Sequence, residues 1–322
     1  MNPIAKILKD HPLVILDGAL ATELERRGCN LNDPLWSAKV LLEDPARIAE
    51  VHDDYLAAGA DGVITATYQA SVQGLMGRGL DRKGALNLMA EAVAIAVRVR
   101  DAFWSVQKNR TARPRPFVAA SIGPYGAYLA DGSEYRGNYC LDEKALMEFH
   151  RPRMAAVVAA GADILACETL PCLVEAQALV RLLAEFPDIS AWFSFSARDA
   201  ATIHDGASIG DAAALLDNHP QVSAMGVNCT PPQYIPDLIR AIGRKTKKPV
   251  IVYPNSGERY DVDSRQWRGE SCPTAFSEMA KEWYRCGARI IGGCCRTGPA
   301  DIHAIAAWAR KHALEKSSGV SV

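Results

Sequence analysis

The sequence predicts an α/β fold, a single (β/α)8 barrel of the TIM type, and three features of its 322 residues indicate it. Short apolar runs alternate with longer amphipathic stretches along the chain. The runs are apolar at successive positions rather than at every second one, which is typical of parallel strands buried on both faces. Eight such units match a closed barrel better than an open doubly wound sheet.

The predicted strands are short and rich in β-branched and aromatic residues. They cover residues 13–16, 62–66, 117–120, 164–166, 191–195, 223–227, 249–253 and 289–291. The predicted helices cover residues 19–27, 44–58, 82–102, 142–160, 173–185, 209–216, 233–242, 273–286 and 299–312. Since no linker divides the chain, residues 1–314 are expected to form one domain, followed by a polar, disordered tail at 315–322.

The connection after the third strand, residues 122–141, is unusually long for a compact domain. It contains Tyr125, Tyr128, Tyr135 and Tyr139, together with glycines that let the chain fold back. Connections of this kind usually serve as a lid or a binding loop. We expect that role here, with packing of the tyrosines against one another as the alternative.

Charge and composition argue against several classes of protein. The formal net charge of −1 gives no field that would attract nucleic acid or an anionic membrane. No run of about 18 apolar residues predicts a membrane span, and residues 1–10 lack the apolar stretch of a signal peptide. The nine cysteines show no regular disulfide spacing, so we expect a reducing, cytoplasmic compartment. The expected assembly is a monomer or a weak homodimer.

The carboxyl ends of the strands form the active site of a parallel barrel. Polar and thiol side chains gather at these ends in the present sequence. They include Asp17, Thr67, Gln69, Ser121, Glu168, Ser196, Asn228, Cys229, Asn255, Cys294 and Cys295. The opposite ends carry Gly-Ala turns, which are typical of helix C-caps. The predicted site therefore lies at one end of the barrel.

The sharpest motif is the run Gly292-Gly293-Cys294-Cys295 after the eighth strand. Neighbouring side chains of an extended strand point to opposite faces, so both sulfurs reach one ion only if the chain turns. The two glycines permit the backbone angles of such a turn, and the helix that starts nearby would stabilise thiolates. Together with Cys229, two strands away, the pair predicts a tetrahedral Zn²⁺ site with one open position, the catalytic arrangement.

Several other interpretations of these residues compete. Adjacent cysteines also form vicinal disulfides or pack as small buried residues. A structural zinc site in a non-enzymatic binding barrel would need a fourth ligand, whereas Cys167, the remaining cysteine near the site, is expected to pack in the core. The seven histidines show no His-Glu-x-x-His spacing, and no Gly-x-Gly-x-x-Gly follows the first strand. A zinc hydrolase and a dinucleotide enzyme are therefore disfavoured.

The motifs Gly-Val-Asn-Cys-Thr at 226–230 and Gly-Gly-Cys-Cys-Arg-Thr at 292–297 resemble the zinc motifs of the homocysteine S-methyltransferase family. Four further segments follow the order and spacing of that family. They are Asp17-Gly18-Ala19, residues 65–71, Ser121-Ile122-Gly123-Pro124 and Glu168-Thr169. The resemblance spans residues 10–313 and is closest to the S-methylmethionine–homocysteine methyltransferases. It implies a (β/α)8 barrel, in agreement with the strand pattern.

The resemblance also implies a cofactor and a reaction. Zn²⁺ is bound by Cys229, Cys294 and Cys295, and a sulfonium donor, S-methylmethionine or S-adenosylmethionine, methylates homocysteine to methionine. Three thiolates leave the zinc site with a charge of about −1, and a bound homocysteine thiolate makes it about −2. A cationic sulfonium is attracted to such a centre, and the neutral thioethers that form there bind zinc weakly.

Three substrate contacts follow from the same resemblance. Glu168 receives the homocysteine ammonium, with Asp17 near it, and Ser121 hydrogen-bonds the homocysteine carboxylate. For Glu168 the alternative is a carboxylate that caps a nearby helix.

Three further positions match residues that line or order the family's site. Thr65 and Gln69 line it, and Asn228 orients either the zinc loop or the amino acid. The tyrosines of the long connection are candidates for cation–π contact with a sulfonium.

The methyl donor is not fixed by these residues. Betaine or a methylated corrinoid, or selenocysteine as the acceptor, would keep the same zinc chemistry. The corrinoid version normally needs additional domains. The residues Thr169-Leu170-Pro171 lack the aromatic ring that suits a quaternary ammonium.

Overall fold

The structure, a computed structural model, describes residues 2–33, 35–261, 266–268 and 275–317. Its strands are β1 (Val14–Ile15), β2 (Gly62–Ile64), β3 (Phe117–Ile122), β4 (Ile164–Leu170), β5 (Ala191–Phe195), β6 (Val222–Asn228), β7 (Val250–Tyr253), β8 (Arg259–Asp261), β9 (Gln266–Arg268) and β10 (Ala288–Ile291). All eight predicted strands are found, most of them within two residues of the predicted bounds. The pattern of short apolar runs was therefore sufficient to locate them.

The helices of the described residues pack around these strands. They are α1 (Pro3–Asp10), α2 (Leu20–Arg26), α3 (Ser37–Glu43), α4 (Pro45–Ala58), α5 (Val72–Met76), α6 (Arg82–Ser105), α7 (Tyr125–Leu129), α8 (Glu143–Ala159), α9 (Leu173–Leu183), α10 (Ile209–Asp217), α11 (Ile235–Gly243), α12 (Phe276–Cys286) and α13 (Pro299–Ser317). Short 3₁₀ helices lie at Gln107–Arg110, Ser133–Tyr135 and Pro232–Tyr234.

Eight of the strands form one parallel sheet in the order β1-β10-β7-β6-β5-β4-β3-β2. The sheet closes on itself through a parallel bridge between Leu16 and Gly62. Two backbone hydrogen bonds support the closure, from Asp17 N to Gly62 O at 3.0 Å and from Asp61 N to Ile15 O at 2.6 Å. The predicted (β/α)8 barrel is confirmed.

The apolar core has two layers. The larger layer lies between the sheet and the surrounding helices. The smaller layer fills the barrel interior and includes Phe117, Trp192 and Tyr253. Ile4 and Ile7 of α1 join this inner layer, at the end of the barrel where β1 begins. The sequence analysis did not predict α1, because its eight residues carry only two buried positions.

The tyrosines of the long connection 122–141 occupy two different environments. Tyr125 packs against Tyr128 and Tyr139, with ring centroids 5.6 and 5.4 Å apart. Tyr135 instead lines the cavity at the strand ends. The fold-back is tight, because a Cβ on Gly126 would lie 2.3 Å from the backbone nitrogen of Glu134.

A buried polar network holds the start of this connection, residues 123–125. Arg153 donates to the carbonyl oxygens of Gly123 at 2.6 Å and Tyr68 at 3.2 Å, and to Nδ1 of His150 at 2.6 Å. Since arginine only donates, Nδ1 accepts and Nε2 of His150 donates to Glu175 at 2.8 Å. Glu175 also accepts from the backbone nitrogen of Tyr125 at 2.6 Å. Helices α8 and α9 thereby fix the chain that follows β2 and β3.

Several elements differ from the prediction, among them the short helices α3, α5 and α7, which were not predicted. An antiparallel hairpin, β8 with β9, lies between β7 and α12 and was not predicted. Helix α12 begins at Phe276, and the predicted start at 273 lies outside the described residues. Helix α13 continues to Ser317, past the predicted boundary at Leu314, and residues 318–322 lie outside the described part. No helix in the described ranges is long and apolar enough to cross a membrane.

Candidate metal centre and active site

Cys229 directly follows β6 and turns away from the strand direction. Its φ of 49° lies in the left-handed region, which is uncommon for a residue with a side chain and often marks a functional position. Its backbone nitrogen donates to the carbonyl oxygen of Tyr253 on β7 at 3.2 Å. The sheet thus holds the backbone while the turn directs the sulfur into the cavity.

Cys294 and Cys295 lie in a turn after β10. Thr297 donates to the carbonyl oxygen of Cys294 through both its backbone nitrogen, at 3.1 Å, and its hydroxyl, at 2.6 Å. Arg296, inside this turn, has a φ of 69°. Because the chain is turned rather than extended, both sulfurs face the same side. Helix α13 starts at Pro299, as predicted.

The two glycines before the cysteines serve close packing, which corrects the expected reason for them. Neither has a positive φ. A Cβ on Gly292 would lie 2.6 Å from the Cβ of Leu16, and a Cβ on Gly293 would lie 2.2 Å from the hydroxyl of Thr297. The glycines therefore let the turn approach β1 and its own closing residue.

The three sulfurs converge as the sequence predicted. Sγ of Cys295 lies 3.9 Å from Sγ of Cys229 and 3.9 Å from Sγ of Cys294, and all three lie within 4.8 Å of one another. A tetrahedral zinc ion with Zn–S bonds of about 2.3 Å requires sulfurs about 3.8 Å apart. Among the described residues the cluster has three members, and each of its cysteines is a free thiol. The donor set fits a thiophilic ion with one further position.

The pKa values of the three cysteine thiols are shifted in different directions. The pKa of Cys229 lies well below its usual value because Cys294 and Cys295 donate hydrogen bonds to it, with smaller contributions from Tyr135 and Asn255. The pKa values of Cys294 and Cys295 are raised, first through the same contacts with Cys229. Without an ion, the first thiolate therefore forms at Cys229.

Two buried carboxyl groups face the same cavity. Glu168 on β4 accepts from the hydroxyl of Ser121, and burial raises its pKa to about 7. Asp17 accepts from the backbone nitrogen of Ile64 at 2.8 Å, and burial, followed by the charge of Glu168, raises its pKa well above the usual value. Both groups line the cavity, as the predicted site requires.

Asn228 joins the ends of two strands. Its side-chain oxygen accepts from the backbone nitrogen of Thr169 and from the hydroxyl of Ser194, each at 2.8 Å. Its amide nitrogen donates to the hydroxyl of Thr169 at 2.7 Å. Thr169, which directly follows Glu168, has a φ of 59° and is therefore strained. Asn228, which directly precedes Cys229, holds this residue in place through its hydrogen bonds.

The remaining predicted residues occupy different positions. Thr65 and Gln69 line the cavity, and Gln69 also donates to the carbonyl oxygen of Ala127 at 3.0 Å. Ser121 is fully buried behind Glu168 and does not line the cavity. Its hydroxyl donates a hydrogen bond to Glu168.

The cavity has a volume of about 550 Å³ and opens at the carboxyl ends of the strands. Its walls include Trp36, Tyr68, Tyr135 and Glu134, in addition to the cysteines and carboxyl groups described above. The sequence analysis did not assign Trp36 or Glu134 to the site, because they lie in connections, far along the chain from the cysteine motifs. The positive φ of Trp36, 46°, has no signal in the sequence.

Comparisons with known proteins agree with this site. A family model described as "Homocysteine S-methyltransferase" matches residues 14–309. The homocysteine S-methyltransferase YbgG of Bacillus subtilis is 59% identical over 310 residues, covering 96% of this chain and 98% of that protein. The homocysteine S-methyltransferase of Escherichia coli is 49% identical over 308 residues, covering 95% and 98%. A maize relative, homocysteine S-methyltransferase 2, is 46% identical over 300 residues, covering 91% and 88%.

Solved structures show the same similarity. The crystal structure of the homocysteine methyltransferase MmuM from E. coli in its metallated form has a TM-score of 0.86 and 46% identity, covering 95% of this chain and 100% of that one. Its oxidized form has the same TM-score and identity, covering 96% and 100%. Its apo form has a TM-score of 0.78 and 40% identity, covering 95% and 99%.

Proposed function

The chain belongs to the homocysteine S-methyltransferase family, a family of methyltransferases, and we propose that it methylates homocysteine to methionine with a sulfonium donor. In this proposal Zn²⁺ is held by Cys229, Cys294 and Cys295, and S-methylmethionine is the preferred donor. S-adenosylmethionine is the second sulfonium candidate.

The convergence of three sulfurs from two strand ends carries this proposal. Their spacing suits a tetrahedral ion, and they line the cavity that also holds the buried carboxyl groups. Bound Zn²⁺ would hold the homocysteine sulfur as a thiolate, the nucleophilic form. A site of three thiolates favours sulfur nucleophiles over water because its net charge is negative.

The carboxyl groups bind the amino acid in this proposal. Glu168 and Asp17 face the cavity, and the homocysteine ammonium would offset the cost of burying their charge. Ser121 acts through Glu168, which it orients by donating its hydroxyl proton. Thr65 and Gln69 form the wall of the cavity near this end.

Asn228 acts as a positioning residue. Its three hydrogen bonds fix Thr169 and the end of β6, so that Glu168 and Cys229 keep their separation. A shift of about 1 Å in such an arrangement is enough to reduce turnover severely.

The methyl transfer itself is a displacement at carbon. An electron pair of the homocysteine thiolate forms the new S–CH3 bond while the donor's S⁺–CH3 bond breaks, and that electron pair returns to the donor sulfur. With S-methylmethionine both products are methionine. The sulfonium is attracted to the negative charge of the site.

The compartment and partners complete the proposal. Three free thiolates require a reducing environment, so we place the enzyme in the cytoplasm. Homocysteine and the sulfonium donor are its partners, with no nucleic acid or membrane partner. A monomer or weak homodimer stays the prediction for its assembly.

The direct test is product formation. Zinc-loaded protein is incubated with homocysteine and S-methylmethionine, S-adenosylmethionine or betaine, and methionine is measured. We expect two methionines for each S-methylmethionine consumed and the highest kcat/KM with that donor. Methionine from betaine or a methylated corrinoid but from neither sulfonium would overturn the donor assignment, and zinc binding without any product would favour a structural site.

A further inference from the structure

Glu134 is a carboxylate of the cavity wall that no role described above uses. It lies in the 3₁₀ helix Ser133–Tyr135, within the long connection that covers the strand ends. Its Oε2 atom is buried and has no hydrogen-bond partner among the described residues. A carboxylate in that state is costly unless a cation comes to it.

The backbone of Glu134 is held in place from two sides. Its nitrogen packs against Gly126, where a Cβ would approach to 2.3 Å. Its carbonyl oxygen accepts from the hydroxyl of Ser196 at 3.2 Å. These contacts keep the side chain at the cavity wall.

The cation nearest along the chain is engaged elsewhere. Arg136 pairs with Asp131 at 3.3 Å and donates to the hydroxyl of Ser133 at 3.0 Å. The pKa of Glu134 is raised to about 7, chiefly by burial and also by the nearby Cys229 and Asp131, while its own backbone N–H and, less strongly, Arg136 oppose the rise. Among the described residues, Oε2 of Glu134 therefore has no cationic partner.

The position of Glu134 differs from that of the carboxyl groups assigned to homocysteine. Glu168 lies on β4 and Asp17 lies two residues after β1, and the two carboxyl groups act on each other electrostatically. Glu134 lies on the connection above them, and Tyr68 is close enough to both Glu134 and Glu168 to feel each charge. The cavity thus presents acidic groups both at the strand ends and on the connection, which suits two substrates that each carry a positive charge.

We propose that Glu134 binds the positive charge of the sulfonium donor and so distinguishes the donor from its neutral thioether product, an inference that rests on the proposed function. The donor sulfur is cationic before transfer and neutral after it, because the electron pair of the broken S–CH3 bond returns to that sulfur. Glu134 therefore has a partner in the substrate complex and loses it when the product forms. This favours donor binding and product release together.

The contact also predicts how the kinetic constants change. The sulfonium charge is strongest in the ground state and is dispersed in the transition state. A residue that binds it lowers the KM for the donor without raising kcat. The KM for homocysteine and the zinc content do not depend on Glu134.

The test compares binding of S-methylmethionine and of methionine to zinc-loaded protein by calorimetry. The two ligands share the ammonium and the carboxylate and differ in the charge on sulfur. In Glu134→Gln we expect the Kd for S-methylmethionine to rise about tenfold or more, and the Kd for methionine to change less than about twofold. Equal weakening of both ligands, or no weakening of either, would overturn the proposal.

Two further variants serve as controls. Glu25→Gln removes a charge from an exposed carboxyl group at the edge of the same cavity. We expect it to weaken S-methylmethionine binding less than about twofold, and a loss as large as that of Glu134→Gln would show a general field effect and contradict the proposal. Glu134→Asp keeps the charge and should recover part of the lost affinity. Zinc content and the thermal midpoint confirm that each variant is folded.

These measurements distinguish a failure of this inference from a failure of the proposed function. If the wild-type protein makes no methionine from any sulfonium, the proposed function fails. The preference for binding S-methylmethionine over methionine, and its loss in Glu134→Gln, would then still support the inference. Conversely, turnover with S-methylmethionine and an unchanged donor KM in Glu134→Gln would retain the function and overturn the inference.

Discussion

The hydroxyl of Tyr135 lies 3.1 Å from the sulfur of Cys229. The two residues are far apart along the chain, and the fold-back of the connection 122–141 brings them together. The pKa of Cys229 is low, so the tyrosine donates to a thiolate. This contact joins the connection 122–141 to the cluster of three cysteines.

The first prediction concerns this hydrogen bond. In Tyr135→Phe the thiolate of Cys229 loses a donor, so the pKa of Cys229 should rise in the metal-free protein. The pH dependence of Cys229 alkylation, followed by mass spectrometry, measures the shift. Tyr128→Phe, in the same connection, is the control, and an equal shift in both variants would show that the contact has no specific effect.

The second prediction concerns the third metal ligand. Cys295→Ser should lose bound zinc and reduce turnover more than about a hundredfold, because two thiolates hold the ion poorly. Metal analysis and methionine formation measure the two losses. Cys140→Ser alters an exposed cysteine and should change neither. Full activity in Cys295→Ser would refute the proposed ligand set.

The third prediction concerns pH and stability. Burial raises the pKa of Glu168 from its usual 4.5 to about 7, so the folded protein holds this proton more tightly than the unfolded chain does. Its contribution to stability is therefore fully present below about pH 4.5 and is lost as the pH rises to about 7, by up to about 3 kcal/mol. Thermal midpoints of the metal-free protein between these pH values should fall less steeply in Glu168→Gln. Identical pH profiles for the two proteins would contradict this.

The fourth prediction concerns the buried network of Arg153, His150 and Glu175, which holds the start of the connection 122–141. Arg153→Met removes donors to Gly123, Tyr68 and His150, together with the positive charge that interacts with the buried Glu175, which should cost about 3–5 kcal/mol of unfolding free energy. Denaturant unfolding measures the loss. The double variant Arg153→Met/Glu175→Gln should recover part of it, and a double variant no more stable than the single one would argue against an uncompensated charge.

The sequence was most informative where the pattern is local. The barrel strands and most of their helices follow from apolar runs and amphipathic periodicity, and the cysteine motifs locate the three sulfurs that the structure brings together. These signals need only a few neighbouring residues. The convergence of Cys229 with the vicinal pair then follows from the barrel, because the carboxyl ends of parallel strands meet.

The remainder depends on contacts between distant segments. Glu134 and Trp36 reach the cavity only through the path of their connections. The role of Gly293 depends on Thr297, which closes the turn against it. Ser121 has the residue type of a substrate ligand, yet its hydroxyl donates a hydrogen bond to Glu168 on the neighbouring strand β4. Such pairings are set by the packing of side chains, which the periodicity of one segment does not contain.

The coordination of the bound ion tests the central claim most directly. X-ray absorption at the zinc edge counts the sulfur atoms around the metal with and without homocysteine. The account predicts three sulfurs at about 2.3 Å and one lighter ligand in the free enzyme, and four sulfurs once homocysteine is added. A zinc ion with fewer than three sulfurs, or a sulfur count that homocysteine does not change, would contradict it.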